Sequence, residues 1–513
     1  MKRTSGILLP LFSLPSPYGI GTLGREALRW IDLLHEAGQT YWQILPLGIT
    51  GPGDSPYQSQ SSFAGNPYFI DLDALAADKL LDPTAPRQFS WGANPHQVDY
   101  GALWEERTKI LHWVWEAFKF ARFAPIEEAF TEFKEEAKDW LEEFVLYRVI
   151  KASQDHKSWL DWPSPLRDRE PKALKSFATN HTDEMEYERF IQFLFFRQWT
   201  KIRTYAKEKE VLLLGDLPMY CAEDSADVWA HRELFLCQED GLPDPVAAIP
   251  PDAFSDEGQL WGNPLYDWEA MKKDGYQWWI ARMRQAMKLY DIVRLDHFLA
   301  FHHYYALPRE AQFTTEGTWQ PGPGLELFEA IRTQKDLVEP GAPLPFLAED
   351  LGLITPDVIA LKDALALPGM AIMEFAFDSD ATNPYLPHLV DRHTVYYSGT
   401  HDNETFLEFM RDGQGDRAQK VKTYLGLNGE EGWHWGMIRA LWTSQADTVI
   451  LPFQDLRGLR GDSRINIPGQ ATGNWTWRFG PSDWPQTADL ARLRTLTEIS
   501  GRLRPLPDVT EDE

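Results

Sequence analysis

The sequence predicts an α/β fold, a single-domain (β/α)8 barrel spanning residues 1–513 with inserted, mainly helical subdomains. Eight short apolar runs recur along the chain, each nearly continuous in the way of parallel strands that are buried on both faces. Amphipathic helical patterns lie between many of these runs, and such an alternation indicates a parallel α/β fold. Eight strands of this kind favour closure into a barrel.

The candidate strands begin near the N-terminus. Residues 1–17 start with basic side chains and continue into a short apolar run, but Pro10 interrupts that run and no small-residue cleavage site follows. We interpret this stretch as an early strand rather than a secretion signal. The eight candidate buried strands come after it, at residues 40–48, 67–72, 211–218, 291–298, 343–352, 369–377, 393–403 and 447–456.

Two segments exceed what a minimal barrel needs. Residues 73–209 contain long amphipathic helical patterns from residue 100 onward, which predict a mainly helical insertion between the second and third strands. Residues 238–267 are rich in proline and glycine, and a connection of that length in a compact domain is usually functional or disordered. Phe254 and Trp261 argue against disorder, so we predict a loop that covers the candidate active site.

The charge and the cysteine content limit the partners and the compartment. The chain has 50 basic and 77 acidic residues, a net charge of −27, which disfavours nucleic acid and anionic membrane surfaces as partners. No apolar run approaches the roughly 18 residues of a membrane span. Cys221 and Cys237 are too few for a disulfide framework and indicate reduced thiols in a cytoplasmic protein.

One stretch places charges where its neighbours require an apolar environment. In "DIVRLDHF", residues 291–298, Arg294 and Asp296 are two positions apart in a predicted strand and therefore lie on the same face. Charges at the end of a buried strand are costly unless they are paired. From this stretch alone, a structural ion pair and a functional pair explain the two charges equally well.

Carboxylates end several of the predicted strands, which is where barrel enzymes carry their catalytic side chains. We expect four carboxylates and three imidazoles to meet on one rim: Asp216, Asp296, Glu349, Asp402, His297, His393 and His401. Arg294 would favour the ionised form of Asp296, which suits a nucleophile. The apolar residues 345–348 would raise the pKa of Glu349, which suits a general acid.

Neither a cofactor nor a metal is predicted. Four acids could hold a metal, but the chain has no HExxH pattern and no EF-hand loop. Residues 19–24, "GIGTLG", have the glycine spacing of a dinucleotide-binding turn, but they do not follow a clear strand end. The run at 40–48 also lacks the acidic residue that would hold a ribose. We interpret these glycines as a turn before a helix.

The aromatic residues favour a carbohydrate ligand. The chain has 22 Trp, 18 Tyr and 28 Phe, and several lie in segments rich in Asn, Asp and Gly, such as residues 53–69 and 258–268. A sugar ring stacks its apolar face on an aromatic side chain while polar neighbours bind its hydroxyls. Aromatic residues in loops beside strands that end in carboxylates therefore indicate carbohydrate chemistry.

Long, ordered motifs extend over nearly the whole chain. They include "SPYQSQSSFAGNPYFIDL", "GDLPMY", "PPDAFSDEGQLWGNPLYDW", "VRLDHF", "AEDLG", "GTHDN" and "RINIPG". On these motifs the chain resembles 4-α-glucanotransferases of the amylomaltase (disproportionating enzyme) type, glycoside hydrolase family 77 in the α-amylase clan. The resemblance implies a catalytic (β/α)8 barrel with inserted subdomains and retaining transfer of α-1,4-glucan segments, without a metal in the chemistry.

The same resemblance implies roles for individual residues. The nucleophile is expected at Asp296, the acid/base at Glu349 and the carboxylate that stabilises the transition state at Asp402. Substrate-binding positions are expected at Tyr57, Asp216, Trp261, Arg294, His297, His401 and Asn466. The expected partners are donor and acceptor α-1,4-glucans: maltodextrins, starch and glucose. An α-glucan hydrolase with the same carboxylates remains the alternative, and a non-catalytic glucan-binding protein and a dinucleotide-dependent oxidoreductase are rivals from other classes.

Overall fold

The structure is a computed structural model that describes residues 3–121, 124–238, 240–251, 257–352, 354–411 and 415–504. Phe254, which the sequence analysis placed in a covering loop, lies outside the described residues. Within the described ranges the strands are β1 Thr4–Leu8, β2 Tyr41–Gln43, β3 Leu212–Leu217, β4 Val246–Ile249, β5 Gln259–Pro264, β6 Ile292–Leu295, β7 His303–Leu307, β8 Thr318–Pro321, β9 Phe346–Ala348, β10 Gly369–Ile372, β11 Thr394–Tyr397 and β12 Thr448–Pro452.

Eight of the described strands form one parallel sheet in the order β10, β11, β12, β1, β2, β3, β6, β9. Every neighbouring pair runs parallel, as where Gly6 of β1 lies beside Tyr41 of β2. The N–H of Ala348 in β9 donates to the carbonyl oxygen of Pro368, just before β10, at 3.0 Å. This hydrogen bond joins the two ends of the sheet, and the predicted (β/α)8 barrel is confirmed.

One predicted strand is wrong, and the N-terminal stretch replaces it. Residues 67–72 begin with the 3-10 helix Pro67–Phe69 instead of a strand. The side chain of Asn66 accepts the N–H of Tyr68 at 3.0 Å, and the side chain of Asp71 caps the helix that follows. Such caps, with a proline at the first helical position, favour helix over strand. The eighth barrel strand is β1, in the stretch that was interpreted as an early strand.

Helices cover the barrel and fill the connections between its strands. The α-helices of the described residues are α1 Arg25–Glu36, α2 Leu72–Ala77, α3 Tyr100–Ala121, α4 Ala124–Glu136, α5 Lys138–Ser153, α6 Ser164–Arg167, α7 Pro171–Asn180, α8 Thr182–Glu208, α9 Ala226–Ala230, α10 Trp268–Lys273, α11 Gln277–Leu289, α12 Leu299–His302, α13 Gly324–Arg332, α14 Pro356–Ala364, α15 Phe406–Phe409, α16 Asp416–Leu425, α17 Trp433–Thr443, α18 Phe453–Leu456 and α19 Thr487–Ile499. Helices α3 to α8 follow β2 and precede β3, and α8 packs against α1, α4 and α5. Among the helices described, none is long and apolar enough to cross a membrane.

A layer of apolar side chains fills the barrel. It consists of Leu8, Leu214, Leu347, Met370, Val395, Tyr397 and Ile450, which come from several strands and are all buried. The Tyr397 hydroxyl donates to Oε1 of the buried Gln43 at 2.9 Å, so the polar groups of this layer are paired. The interior is therefore a packed core, and the ends of the barrel are left for a substrate.

A second, antiparallel sheet has the strand order β5, β4, β7, β8. Strands β4 and β5 come from residues 238–267, so part of the segment that was predicted as a loop is strand. β4 is buried along its whole length, which supplies the apolar contacts of this hairpin. Gly258, with a φ of 73°, takes the left-handed conformation just before β5, where a side chain would be strained. Trp261 lies in β5.

Candidate active site

Arg294 in β6 contacts three of the carboxylates that the sequence placed on one rim. Its Nη1 donates to Oδ1 and Oδ2 of Asp216 at 2.8 and 2.9 Å and to Oδ1 of Asp296 at 2.8 Å. Its Nη2 lies 4.0 Å from Oε2 of Glu349. These residues lie near the C-terminal ends of β3, β6 and β9, which are neighbours in the barrel. One guanidinium therefore gathers carboxylates from three adjacent strands.

Because the cluster is buried, its charged side chains are stable only when they are paired with one another. The side chain of Arg294 is 6 % exposed and that of Asp216 is 0 % exposed. Burial lowers the pKa of Arg294, but the charges of Asp216 and Asp296 outweigh it and hold that pKa well above its usual value. Burial raises the pKa of Asp216, and the charge of Arg294 opposes that rise. Removal of either partner would leave an uncompensated buried charge, which is strongly destabilising.

Glu349 is held by backbone donors and has the pKa of a proton carrier. Its Oε2 accepts the N–H of His297 at 2.8 Å, and its Oε1 accepts the N–H of Leu351 at 3.1 Å. Burial raises the pKa of Glu349 to about 8, while Arg294 opposes the rise and Asp296 adds to it. A carboxyl group with this pKa is protonated at neutral pH and can act first as an acid and then as a base.

Asp402, after β11, joins the cluster through His401 and Tyr57. Oδ2 of Asp402 lies 3.3 Å from Nε2 of His401, which lies 3.0 Å from the Tyr57 hydroxyl. That hydroxyl donates to Oδ2 of Asp216 at 2.9 Å, so one polar network connects both groups. The Tyr57 and His401 rings stack, with centroids 5.4 Å apart. Burial raises the pKa of Tyr57 well above its usual value, so its hydroxyl remains a donor.

The segment after β12 braces Asp402. Nδ2 of Asn466 donates to Oδ1 of Asp402 at 2.6 Å, and the N–H of Asn466 donates to the carbonyl oxygen of His401 at 3.1 Å. Nη2 of Arg464 donates to the carbonyl oxygen of Asp402 at 2.7 Å. The sequence analysis named Asn466 but missed Arg464. The two are two positions apart in "RINIPG", the same spacing that singled out Arg294 and Asp296.

Trp261 places an indole ring against His297, the residue that follows Asp296. Its ring meets the His297 imidazole edge to face, with centroids 4.8 Å apart, and lies 6.2 Å from the Tyr220 ring. His297 has a φ of 48°, a left-handed conformation that is uncommon for a residue other than glycine. Burial lowers the pKa of His297 to about 4, so its ring is neutral at neutral pH. Tyr220 was not named from the sequence, although it ends the motif "GDLPMY".

His393 is not part of this group, and its expected place on the rim is wrong. It directly precedes β11, whereas the residues of the site follow or end their strands. Its Nε2 lies 3.2 Å from the carbonyl oxygen of Ala366. In a parallel barrel, a residue at the start of a strand lies at the opposite end from a residue that follows it.

The arrangement suits glycoside chemistry with two carboxyl groups. Asp296, hydrogen-bonded to a guanidinium, can act as a nucleophile, while the protonated Glu349 can act as a general acid. Tyr57 and Trp261 offer aromatic rings on which a sugar can stack. In the part of the chain that the structure describes, no group of three or more His, Cys, Asp or Glu side chains is placed to hold a metal ion.

Comparisons with known proteins agree on one family. The model of glycoside hydrolase family 77, described as 4-alpha-glucanotransferase, matches residues 9–482. The chain is 44 % identical over 506 residues to a 4-alpha-glucanotransferase of Synechocystis sp., with 98 % of each chain covered. It is 42 % identical over 513 residues to one of Thermus thermophilus, with 98 % of this chain and 100 % of the relative covered. A solved amylomaltase from Streptococcus agalactiae, in complex with acarbose, matches with a TM-score of 0.93 at 35 % identity and covers 98 % of this chain and 100 % of that one.

Proposed function

The chain belongs to the 4-alpha-glucanotransferases of glycoside hydrolase family 77, and from this premise we propose which residue performs each step. The enzyme transfers glucan segments, and its donors and acceptors are α-1,4-glucans such as maltodextrins, starch and glucose. Asp296 is the nucleophile, Glu349 is the acid and base, and Asp402 stabilises the transition state. The residues that bind and orient the sugars are Tyr57, Asp216, Trp261, Arg294, His297, His401 and Asn466.

The first step forms a glycosyl-enzyme. Glu349 gives its proton to the glycosidic oxygen while the carboxylate of Asp296 attacks the anomeric carbon. The bond to the leaving glucan breaks, its electron pair goes to the protonated oxygen, and an ester forms at Asp296. The hydrogen bond of 2.8 Å from Arg294 supports this role, because it orients the carboxyl group of Asp296 and pairs it with a guanidinium.

The second step transfers the glucan to an acceptor. Glu349, now a carboxylate, takes the proton of the acceptor's 4-hydroxyl, and that oxygen displaces Asp296 from the anomeric carbon. Two inversions retain the α configuration. Transfer requires the acceptor to react before water does, and the position of Trp261 beside His297 supports a covering role that excludes water.

The observation that carries this proposal is a pair of carboxyl groups in different surroundings around one arginine. Asp296 is bonded to the guanidinium, while Glu349 lies 4.0 Å from it and has a pKa raised to about 8. Such a pair supplies a nucleophile and an acid in the same site.

The products formed from maltotriose test the proposal against simple hydrolysis. Transfer gives glucose together with longer maltodextrins, whereas hydrolysis gives only shorter sugars. The new linkages should have the α configuration by NMR. A product mixture without longer chains contradicts transfer, and an Asp296→Asn variant with unchanged activity contradicts the assigned nucleophile.

Three further features complete the proposal. Residues 238–267 cover the bound glucan, which the presence of Trp261 in β5 supports. Residues 73–209 are a mainly helical insertion, which their helices between β2 and β3 support. The enzyme acts in the cytoplasm, which the free thiols of Cys221 and Cys237 support.

A further inference from the structure

The connection between β11 and α15, residues 398–406, is tied at both ends to one buried carboxyl group, Asp455. This residue lies in α18, directly after β12, and is 2 % exposed. Its Oδ2 accepts the hydroxyl of Ser398 at 2.6 Å, and its Oδ1 accepts the N–H of Phe406 at 2.7 Å. Ser398 follows β11 and Phe406 begins α15, so the two hydrogen bonds hold the first and last residues of the connection.

The residues between these two ends include His401 and Asp402. A local turn orders the middle of the connection, because Oδ1 of Asn403 accepts both the N–H and the hydroxyl of Thr400 at 2.9 Å. The contacts of His401 and Asp402 with the rest of the site, at 2.6 to 3.3 Å, tolerate little displacement. Fixing both ends of the connection therefore limits the movement of His401 and Asp402 within the site.

A second buried acid, Glu374, packs against the same connection. Its N–H donates to the carbonyl oxygen of Ser398 at 3.3 Å, and its Oε1 lies so close that a Cβ at Gly399 would be 3.2 Å away. Burial, with the charges of Asp455 and Glu404, raises the pKa of Glu374 well above its usual value. Burial also raises the pKa of Asp455, but only to about 6, so at neutral pH Asp455 is the member of this pair that accepts hydrogen bonds as a carboxylate.

We propose that Asp455 is a positioning residue for the transfer reaction, which sets His401 and Asp402 against the substrate by holding both ends of residues 398–406. The inference rests on the proposed roles of His401 and Asp402. A carboxylate suits this task because it accepts hydrogen bonds on both oxygens at once, whereas an asparagine offers one acceptor and one donor. The rival explanation is a contact that stabilises the fold and does nothing else.

A matched carboxyl group elsewhere in the chain provides the control. Asp71 is 6 % exposed, accepts the hydroxyl of Thr22 at 2.7 Å and the N–H of Ala74 at 2.8 Å, and shares no hydrogen bond with the site. It therefore has the same two kinds of partner as Asp455. Asp455→Ala and Asp71→Ala are compared in kcat, KM and Tm with maltotriose, at a temperature at which both variants are folded.

We expect Asp455→Ala to lower kcat by roughly ten- to a hundredfold with little change in KM, the scale of a small misplacement of catalytic groups. We expect Asp71→Ala to lower Tm and to leave kcat within about twofold of the unaltered enzyme. If Asp455→Ala does not fold, Ser398→Ala and Asp455→Asn, which each disturb one of the two hydrogen bonds, are measured instead. Equal effects on kcat of the variants at the two carboxyl groups would overturn the proposal.

A double variant separates positioning from a loss of stability. If Asp455 acts through Asp402, then Asp455→Ala costs little more once Asp402 has been changed to Asn, because the contribution that it positions is already absent. Single-turnover rates with an activated aryl α-maltotrioside measure both changes. We expect the effect of Asp455→Ala to shrink to less than about threefold in the Asp402→Asn background.

The outcomes of this cycle are distinguishable. An undiminished effect of Asp455→Ala in the Asp402→Asn background overturns the positioning role. A failure of the underlying proposed function would show separately, because Asp402→Asn alone would then retain its activity.

Discussion

At the scale of single residues, the site depends on carboxyl groups that are close together but differ in their hydrogen-bond partners. Arg294 donates to Asp216 and Asp296 and so pairs both buried carboxyl groups with one guanidinium. Glu349 receives two backbone N–H groups, yet burial raises its pKa to about 8. A nucleophile and an acid can therefore coexist at neutral pH.

Removal of any one carboxyl group should abolish most of the activity. We expect Asp296→Ala, Glu349→Ala and Asp402→Ala each to lower kcat by several powers of ten, because the three groups act together in one transition state. The double variants should be little worse than the single ones, since groups that act as a unit lose activity non-additively. Steady-state rates on maltotriose measure this. A single variant that keeps more than about a tenth of the activity would contradict the role of that residue.

If Glu349 is the acid, as proposed, its pKa should set the alkaline limit of the reaction. The group must carry a proton to act as the acid, so we expect kcat/KM to fall as the pH rises through about 8. A profile of kcat/KM between pH 5 and 10 measures this, and a limb that begins near the usual carboxyl pKa of 4.5 would contradict it.

The same pKa has a consequence for stability with a defined sign. The folded pKa of Glu349 is raised to about 8 from 4.5, so the folded state holds the proton more tightly than the unfolded state. The stability that comes from the protonated group is complete below pH 4.5 and is lost as the pH rises through about 8. Relative to Glu349→Gln, which cannot ionise, the unaltered enzyme should lose Tm across this range. A constant difference in Tm would contradict the raised pKa.

At the scale of elements, three segments outside the barrel strands contribute side chains to the site. The connection after β11 carries Asp402, the segment after β12 braces it with Asn466, and β5 of the second sheet carries Trp261. The first two are fastened by hydrogen bonds to backbone atoms, whereas Trp261 touches the site through ring contacts. A substitution at Trp261 in β5 should therefore change the rates of transfer and hydrolysis to different extents.

Trp261→Ala should lower transfer more than hydrolysis. Loss of the indole removes a surface for the acceptor sugar, at a cost of roughly 1–3 kcal/mol in acceptor binding, and it also admits water to the glycosyl-enzyme. The ratio of reducing ends formed to glucan transferred should therefore rise. Trp319→Ala is the matched control, because Trp319 lies in β8 of the same sheet and is 40 % exposed. A lowered Tm with an unchanged ratio would show that Trp261 only anchors its segment.

At the scale of the whole molecule, the packed barrel interior includes residues of three strands whose ends carry the site: Leu214 of β3, Leu347 of β9 and Tyr397 of β11. Leu347 of β9 lies in this layer and is 1 % exposed, two positions before Glu349. A cavity at this place would be bordered by side chains of several strands and could not collapse by moving only one of them.

Leu347→Ala should destabilise the whole fold. We expect a loss of about 2–5 kcal/mol in the free energy of unfolding, from lost burial and the cavity left behind. The control is Leu325→Ala, because Leu325 is 42 % exposed in α13 and its change should alter Tm little. Thermal unfolding of the two variants measures the difference. Equal values of Tm would show that the interior layer is not the packed core described above.

The sequence by itself determined the alternating strands and helices and the carboxylates at the strand ends. Apolar runs and charge spacing are local properties, so Arg294 and Asp296 could be placed on one face of a strand before any contact was known. Asp296, Glu349 and Asp402 were named as site residues for the same reason: each follows an apolar run.

Only the tertiary structure decided which of these residues meet. Side-chain caps started helices at Pro67 and Leu72 in a stretch predicted as a strand, and strand direction put His393 at the far end of the barrel. Tyr57 donates to Asp216, 159 positions away, through a hydrogen bond that no spacing within the sequence encodes. Asp455 likewise only follows an apolar run in the sequence. Its contacts with the connection after β11 form because β11 and β12 lie side by side. Contacts of this kind arise from closure of the barrel, which brings the ends of strands distant in the chain to one rim.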